Sequence, residues 1–131
     1  MILIESEVVR QMTSHCMKDR PFEACGLLSG KGGRCETIWP MINVEKSPYS
    51  FAISDEAIEK AMAQMKERGE ALTGIYHSHP TALPYPSKED QRHNGYPTVA
   101  YFIVSLQGRE PVVRCFQVTP SKVQPIKIIQ T

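Results

Sequence analysis

The sequence predicts an α/β domain in which one mixed β-sheet packs against two main helices and a short third helix. Two observations support this prediction. In two segments apolar residues recur every three to five positions, as in amphipathic helices. Between and after them lie short apolar segments bounded by glycine and proline, as in β-strands. The chain has 131 residues, 41% of them hydrophobic, so we expect a single domain over residues 1–131 with a sizeable core.

The first part of the chain predicts a helix followed by a hairpin. Residues 6–19 carry their apolar side chains on one helical face, and Pro21 ends that helix. Residues 24–30 and 34–41 are predicted strands, and the two glycines between them supply the positive φ angles of a hairpin turn. The two strands are therefore expected to pair side by side.

The middle of the chain predicts a short strand, the second main helix and a longer strand. The short strand covers residues 49–53, and Ser54 then caps a helix that stops at Gly69. Residues 72–79 form the next predicted strand, which ends at Pro80.

The last part of the chain predicts a short helix and three strands. Ser87 begins the helix. Residues 98–106 and 111–118 form a second hairpin, whose first arm is apolar throughout and is therefore expected in the middle of the sheet. A last strand is predicted over residues 123–129.

Charge and hydropathy exclude several classes of partner. The formal net charge is +1, from 15 basic and 14 acidic residues, and no two basic residues are adjacent. We therefore expect no nucleic-acid partner. The longest apolar run, residues 99–104, has six residues, whereas a membrane span needs about 20. We expect no membrane association.

The start of the chain and its cysteines indicate a cytoplasmic protein. Glu5 follows only four residues, so the basic and apolar regions of a signal peptide are missing. The four cysteines lie in apolar surroundings without C-x-x-C spacing. We expect them to be buried free thiols rather than disulfides.

A cluster of polar residues around Pro80 points to metal chemistry. His77 and His79 are two residues apart on a predicted strand, so their side chains share one face. Asp90 follows in the first turn of the short helix. Two nitrogens and one carboxylate oxygen leave the fourth position of a tetrahedral zinc site open, as catalytic zinc requires.

The same residues also have a purely structural interpretation. Ser87 and Asp90 have the spacing of a helix capping box, in which each side chain bonds the other residue's backbone. A histidine on a strand is commonly a packed or surface residue. From spacing alone, both interpretations remain open.

The motifs resemble those of the JAMM (MPN+) metalloprotease family. The resemblance rests on residues 21–28, His77-Ser78-His79-Pro80, Ser87 and Asp90, with seven residues between His79 and Ser87 and two between Ser87 and Asp90. It extends over essentially the whole chain and implies the JAMM/MPN fold, which is similar to that of cytidine deaminases. It also implies one zinc ion per chain.

The resemblance further implies a role for each site residue. His77, His79 and Asp90 correspond to the zinc ligands. Glu23 corresponds to the glutamate that takes a proton from the attacking water and delivers it to the leaving amine. Ser87 corresponds to the serine that donates a hydrogen bond to the oxyanion.

The implied function is hydrolysis of an amide or isopeptide bond at an extended, Gly-Gly-type C-terminal tail. The preferred partner is a ubiquitin-like sulfur-carrier protein, and a cell-wall or phage-tail peptide is the alternative substrate. A non-catalytic MPN-type interaction scaffold is the alternative from another class, although such scaffolds lack ligands that this chain retains. A deaminase is excluded, because its H-x-E and P-C-x-x-C motifs are absent.

Other polar and aromatic residues receive minor assignments. His15 is expected at a surface or boundary, His93 at a solvated helix end and Tyr76 in the core. Leu83 and Tyr85, in the loop before Ser87, are candidates for substrate contact.

Overall fold

The structure, a computed structural model, describes residues 1–131 and contains eight strands and three helices. In chain order they are β1 (Ile2–Ile4), α1 (Ser6–Lys18), β2 (Cys25–Gly30), β3 (Thr37–Met41), α2 (Asp55–Glu67), β4 (Ala71–His79), α3 (Lys88–His93), β5 (Ala100–Ser105), β6 (Val112–Val118), β7 (Val123–Ile126) and β8 (Ile128–Gln130).

Six of the strands form one mixed sheet in the order β3-β2-β4-β5-β6-β7. All neighbours are antiparallel except β4 and β5, which run parallel in the centre. Every residue of β5 is buried, as its largely apolar sequence predicts. The predicted α/β class with a mixed sheet is confirmed.

The two main helices cover opposite faces of the sheet, because side chains alternate along each strand. On one face, Val8, Met12 and Cys16 of α1 pack in a core that includes Tyr76. On the other face, α2 packs in a core that includes Ile75. His77 follows Tyr76 in β4, so its side chain lies on the α2 face.

The predicted strand over residues 49–53 is wrong. This segment is a loop without regular structure, and the side chain of Asn43 holds it. Asn43 Oδ1 accepts the Ala52 N–H at 3.2 Å, and Asn43 Nδ2 donates to the Ser50 carbonyl at 3.0 Å. A side chain therefore supplies bonds that a neighbouring strand would otherwise make.

The predicted last strand over residues 123–129 divides in two. Residues up to Ile126 pair with β6, and the chain then leaves the main sheet. Residues 128–130 instead pair in parallel with β1, where Ile2 N–H donates to the Lys127 carbonyl at 2.8 Å. β1 was not predicted, since three residues are too few to show a period.

All four cysteines are free and buried, as predicted. Burial raises the pKa of the Cys16 thiol to about 12 and that of Cys25 to about 12. These thiols stay protonated and unreactive at neutral pH. No helix combines the length and apolar character that a membrane span requires.

Candidate metal centre

Three predicted ligands converge where β4 meets the start of α3. The distance from His77 Nε2 to His79 Nε2 is 3.0 Å. Asp90 Oδ2 lies 3.1 Å from the His79 nitrogen and 3.3 Å from the His77 nitrogen. All three side chains are at most 9% exposed. They form a small, nearly equilateral triangle of ligand atoms at the end of a central strand.

This triangle fits a single tetrahedral ion. With metal–ligand bonds of about 2.0–2.1 Å, neighbouring ligand atoms of tetrahedral zinc lie about 3.3 Å apart. The chemistry of the ligand atoms also suits a metal ion. His79 Nδ1 donates to the Leu83 carbonyl at 2.8 Å, so a neutral His79 turns an Nε2 lone pair towards the Asp90 carboxylate. Two acceptors at this distance require a proton or a metal ion between them.

A metal ion and a proton compete for this place. Burial alone would lower the pKa of His79, but its hydrogen bonds with Asp90 and the Leu83 carbonyl outweigh burial and raise that pKa. Burial likewise opposes ionisation of Asp90, yet hydrogen bonds from the two histidines hold its pKa well below the usual range. Burial lowers the pKa of His77. Metal binding must displace a proton from the pair and should strengthen as pH rises.

Local packing positions each ligand. The His77 ring is fully buried and stacks on Phe51, with the ring centroids 4.6 Å apart. Ser87 and Asp90 form the predicted capping box: Ser87 N–H donates to Asp90 Oδ2, and Asp90 N–H donates to Ser87 Oγ, both at 2.9 Å. The cap turns the Asp90 carboxylate towards the histidines. The structural and metal-binding interpretations are therefore compatible.

Glu23 lies beside the triangle. A Glu23 carboxylate oxygen and one ring nitrogen each of His77 and His79 all lie within 4.8 Å of one another, so these three residues could also hold a metal. Asp90 Oδ2 lies within 3.3 Å of both Nε2 atoms. Glu23 is 3% exposed, and its Oε1 has no hydrogen-bond partner. A buried carboxylate oxygen without a partner indicates a place for a bound group.

The backbone around Glu23 is tied to the ligand strand. Ser78 accepts the Ala24 N–H through its side chain at 2.8 Å and donates its own N–H to the Ala24 carbonyl at 3.0 Å. Asn43 Nδ2 donates to the Glu23 carbonyl at 3.0 Å. Burial raises the pKa of Glu23 to about 8. A divalent cation nearby would favour the carboxylate and lower this pKa.

Ser87 is exposed, and its backbone N–H donates to Asp90 Oδ2, one of the three candidate ligand atoms. Its Oγ accepts the Asp90 N–H, so its own proton remains available to a substrate oxygen. The structure thus brings together all five predicted site residues. The roles assigned to them stay predictions.

Three of the minor assignments agree with the structure, and substrate contact by Leu83 and Tyr85 stays a prediction. His15 is partly buried at a boundary, His93 is exposed at the end of α3, and Tyr76 is in the core, as predicted. Leu83 and Tyr85 have exposed side chains beside the site. Sequence reasoning missed Phe51 as the partner of His77, and also missed the Leu83 carbonyl, since every residue type carries one.

The fold and the site together indicate a class of protein: a mixed α/β domain with a candidate metal centre of two histidines and an aspartate. Residues 5–119 match the Prok-JAB family model, which describes prokaryotic homologs of the JAB domain. The chain belongs to this family, the compact prokaryotic branch of the JAMM/MPN proteins.

Two relatives carry names that describe activities. A CysO-cysteine peptidase of Mycobacterium tuberculosis is 31% identical over 136 aligned residues, covering 98% of this chain and 92% of the relative. A desampylase of Haloferax volcanii is 33% identical over 94 residues, covering 70% of this chain and 68% of the relative. Family and relatives together support a JAMM-type peptidase.

Two solved structures share the fold. A Desulfitobacterium hafniense protein determined in solution has a TM-score of 0.90 and 31% identity, covering 100% of this chain and 93% of that one. A JAB1/MPN domain protein from Archaeoglobus fulgidus has a TM-score of 0.69 and 18% identity, covering 100% and 99%. The second likeness concerns the fold alone.

Proposed function

We propose that this chain is a zinc-dependent peptidase or isopeptidase with one zinc ion held by His77, His79 and Asp90. The observation that carries the proposal is the buried triangle of ligand atoms, 3.0–3.3 Å on each side. Glu23, with an unpartnered carboxylate oxygen, lies directly beside it. A structural cluster would be expected to satisfy that oxygen.

Zinc bound at the triangle would polarise the scissile carbonyl and lower the pKa of a water ligand towards about 7. Glu23 takes a proton from the attacking water. The water oxygen ends on the carbonyl carbon, the C–N bond breaks, and Glu23 passes the proton to the departing nitrogen. Ser87 keeps its hydroxyl proton and donates a hydrogen bond to the carbonyl oxygen as negative charge develops there.

The proposed substrate is the extended Gly-Gly-type tail of a ubiquitin-like or sulfur-carrier protein, joined to an amine. The relatives' names, CysO-cysteine peptidase and desampylase, suggest this class. An extended tail also suits the site, because the ligands lie at a strand end and Ser87 is accessible from solvent.

The test combines metal analysis with a defined adduct. The purified protein should bind one zinc per chain and release an amino acid from a carrier ending in Gly-Gly-amino acid, detected by intact mass. A chelator should abolish release, and added zinc should restore it. Zinc-loaded protein that leaves every carrier adduct intact would contradict the proposed substrate, and protein that takes up no zinc would contradict the metal site and favour the scaffold.

A further inference from the structure

Asn43 is a buried polar residue in a loop where its two neighbours are apolar and exposed. Its exposed fraction is 6%, whereas Ile42 and Val44 on either side are 74% and 54% exposed. The usual arrangement, with apolar side chains inside and polar ones outside, is therefore reversed at these three positions. Burying an amide costs free energy unless it is hydrogen-bonded, so its bonding partners should explain why it is buried.

The Asn43 amide uses every hydrogen-bonding position that it has. Oδ1 accepts the N–H of Glu45 at 3.0 Å and that of Ala52 at 3.2 Å. Nδ2 donates to the carbonyls of Glu23 and Ser50, both at 3.0 Å. Because a side-chain amide offers two acceptor and two donor positions, none is left over. The amide therefore joins both ends of its own loop to the backbone of Glu23.

Both backbone polar groups of Glu23 bond to this loop and not to the sheet. The Glu23 N–H donates to the Ser47 carbonyl at 2.9 Å, and the Glu23 carbonyl accepts from Asn43. Glu23 lies two residues before β2, which begins at Cys25. The loop, and not strand pairing, therefore holds the backbone of Glu23.

The turn that follows Asn43 has a strained backbone. Lys46 has a φ of 45°, in the left-handed region that residues other than glycine adopt infrequently. Its N–H donates to the Asn43 carbonyl at 3.2 Å, which closes the turn. Strained backbone persists only where surrounding contacts hold it, and it is concentrated at functional sites. Here the strained turn places the Ser47 carbonyl against the Glu23 N–H.

The far end of the same loop contacts a candidate metal ligand. Phe51 lies between Ser50 and Ala52, which both bond to the Asn43 amide. The Phe51 ring stacks on His77, with the ring centroids 4.6 Å apart. One buried amide thus connects the backbone of Glu23 to the packing partner of a candidate ligand.

We propose that Asn43 is a positioning residue, which holds Glu23 within proton-transfer reach of the attacking water. This inference rests on the proposed function, in which Glu23 is the base. Asn43 makes no hydrogen bond with a candidate ligand atom, so it acts through Glu23 and its loop. Without these four bonds the Glu23 carboxylate is free to leave the reactive geometry, and a displacement of about 1 Å can lower a rate by about 10²-fold.

Asn43→Asp tests the donor half of the amide. The substitution keeps the size and one acceptor oxygen, but its second oxygen faces the carbonyls of Glu23 and Ser50 and cannot donate to them. We expect kcat on a Gly-Gly-amino acid adduct to fall by about 10- to 100-fold. KM and zinc affinity should stay near their wild-type values, because the ligand triangle is intact. A wild-type kcat overturns the proposal.

Two comparisons separate positioning from a general loss of stability. Ser29→Ala removes two hydrogen bonds of a buried hydroxyl, with Glu70 and Trp39, both 2.7 Å long and towards the opposite end of β2. This control should keep the wild-type kcat. In a Glu23→Gln background, Asn43→Asp should lower kcat no further, because no base is left to position. Equal factors in both backgrounds would make Asn43 merely structural and overturn the proposal.

Amide hydrogen exchange tests the same contacts without any turnover. Asn43→Asp, or Asn43→Ala if the aspartate variant does not fold, should raise the exchange rate of the Glu23 N–H by about tenfold. Amides of β5 should keep their wild-type protection. Unchanged exchange at Glu23 overturns the proposal. If zinc-loaded wild type cleaves no adduct, the proposed peptidase activity is contradicted, and the exchange rates alone decide whether Asn43 holds Glu23.

Discussion

Two histidines on opposite sides of β4 differ in how their ring nitrogens are satisfied. His15 Nδ1 accepts from the Tyr76 hydroxyl at 2.6 Å, and its Nε2 lies 3.2 Å from Asp19. His77 is more deeply buried, yet its Nδ1 has no partner, and its Nε2 meets another imidazole and a carboxylate. The His15 network satisfies each polar atom, whereas the metal centre leaves buried polar atoms open. That difference is typical of stabilising and functional clusters.

The largest expected effect is the loss of hydrolysis when Glu23, beside the metal centre, is replaced. Glu23→Gln retains the size of the side chain but cannot take a proton, so we expect hydrolysis to fall by about 10²- to 10⁴-fold. Zinc content should be unchanged, because Asp90 rather than Glu23 completes the ligand triangle. Turnover of the Gly-Gly-amino acid adduct, measured beside zinc content, checks this. A variant that remains fully active would show that Glu23 is not the base.

The next effect concerns packing on the Tyr76 side. A Cβ added at Gly26 would lie 2.3 Å from the Tyr76 ring, and that ring is completely buried. Gly26→Ala should therefore reduce the free energy of unfolding by about 1–3 kcal/mol. Gly108→Ala is the matched control, since the nearest atom to its added Cβ is 4.0 Å away. Equal denaturant midpoints for the two variants would contradict this packing.

A smaller effect is expected when the Tyr76 hydroxyl is removed. Tyr76→Phe leaves His15 Nδ1 without its donor and should cost about 1 kcal/mol of stability. Zinc affinity should stay at the wild-type value, since the His15 network lies on the other face of the sheet. Denaturant unfolding and zinc titration measure the two quantities. A loss of zinc affinity would mean that the two sides of β4 are coupled.

The last prediction is a pH dependence of the metal-free protein. Burial raises the pKa of Glu23 from its ordinary value of 4.5 to about 8, so the folded chain keeps a proton that the unfolded chain releases. As the pH rises from about 4.5 to about 8, the stabilising contribution of the protonated Glu23 is therefore lost. The free energy of unfolding of metal-free Glu23→Gln should rise relative to that of wild type between pH 5 and 8. A constant difference would contradict the raised pKa.

Sequence patterns predict the regular parts of this molecule and miss the parts held by single contacts. The period of two along β4 places His77 and His79 together, and the helical periods of α1 and α2 are long enough to recognise. The strand predicted over residues 49–53 is wrong because the side chain of Asn43 makes the hydrogen bonds that a strand partner would make.

The site residues differ in how far the sequence alone predicts them. The spacing of His77, His79 and Asp90 favours a metal centre without any relative, but it leaves the capping-box interpretation of Asp90 open. Glu23 is 54 positions before His77 and gives no local signal, so its assignment depends on family resemblance.

Zinc binding by matched variants tests the central claim most directly. Competition with a chromophoric chelator gives the stoichiometry and affinity for wild type, Glu23→Gln and Asp90→Ala. We expect one zinc per chain, bound with similar affinity by wild type and Glu23→Gln, and severe loss of affinity in Asp90→Ala. Retained affinity in Asp90→Ala with loss in Glu23→Gln would contradict the account, because it would make Glu23 the third ligand.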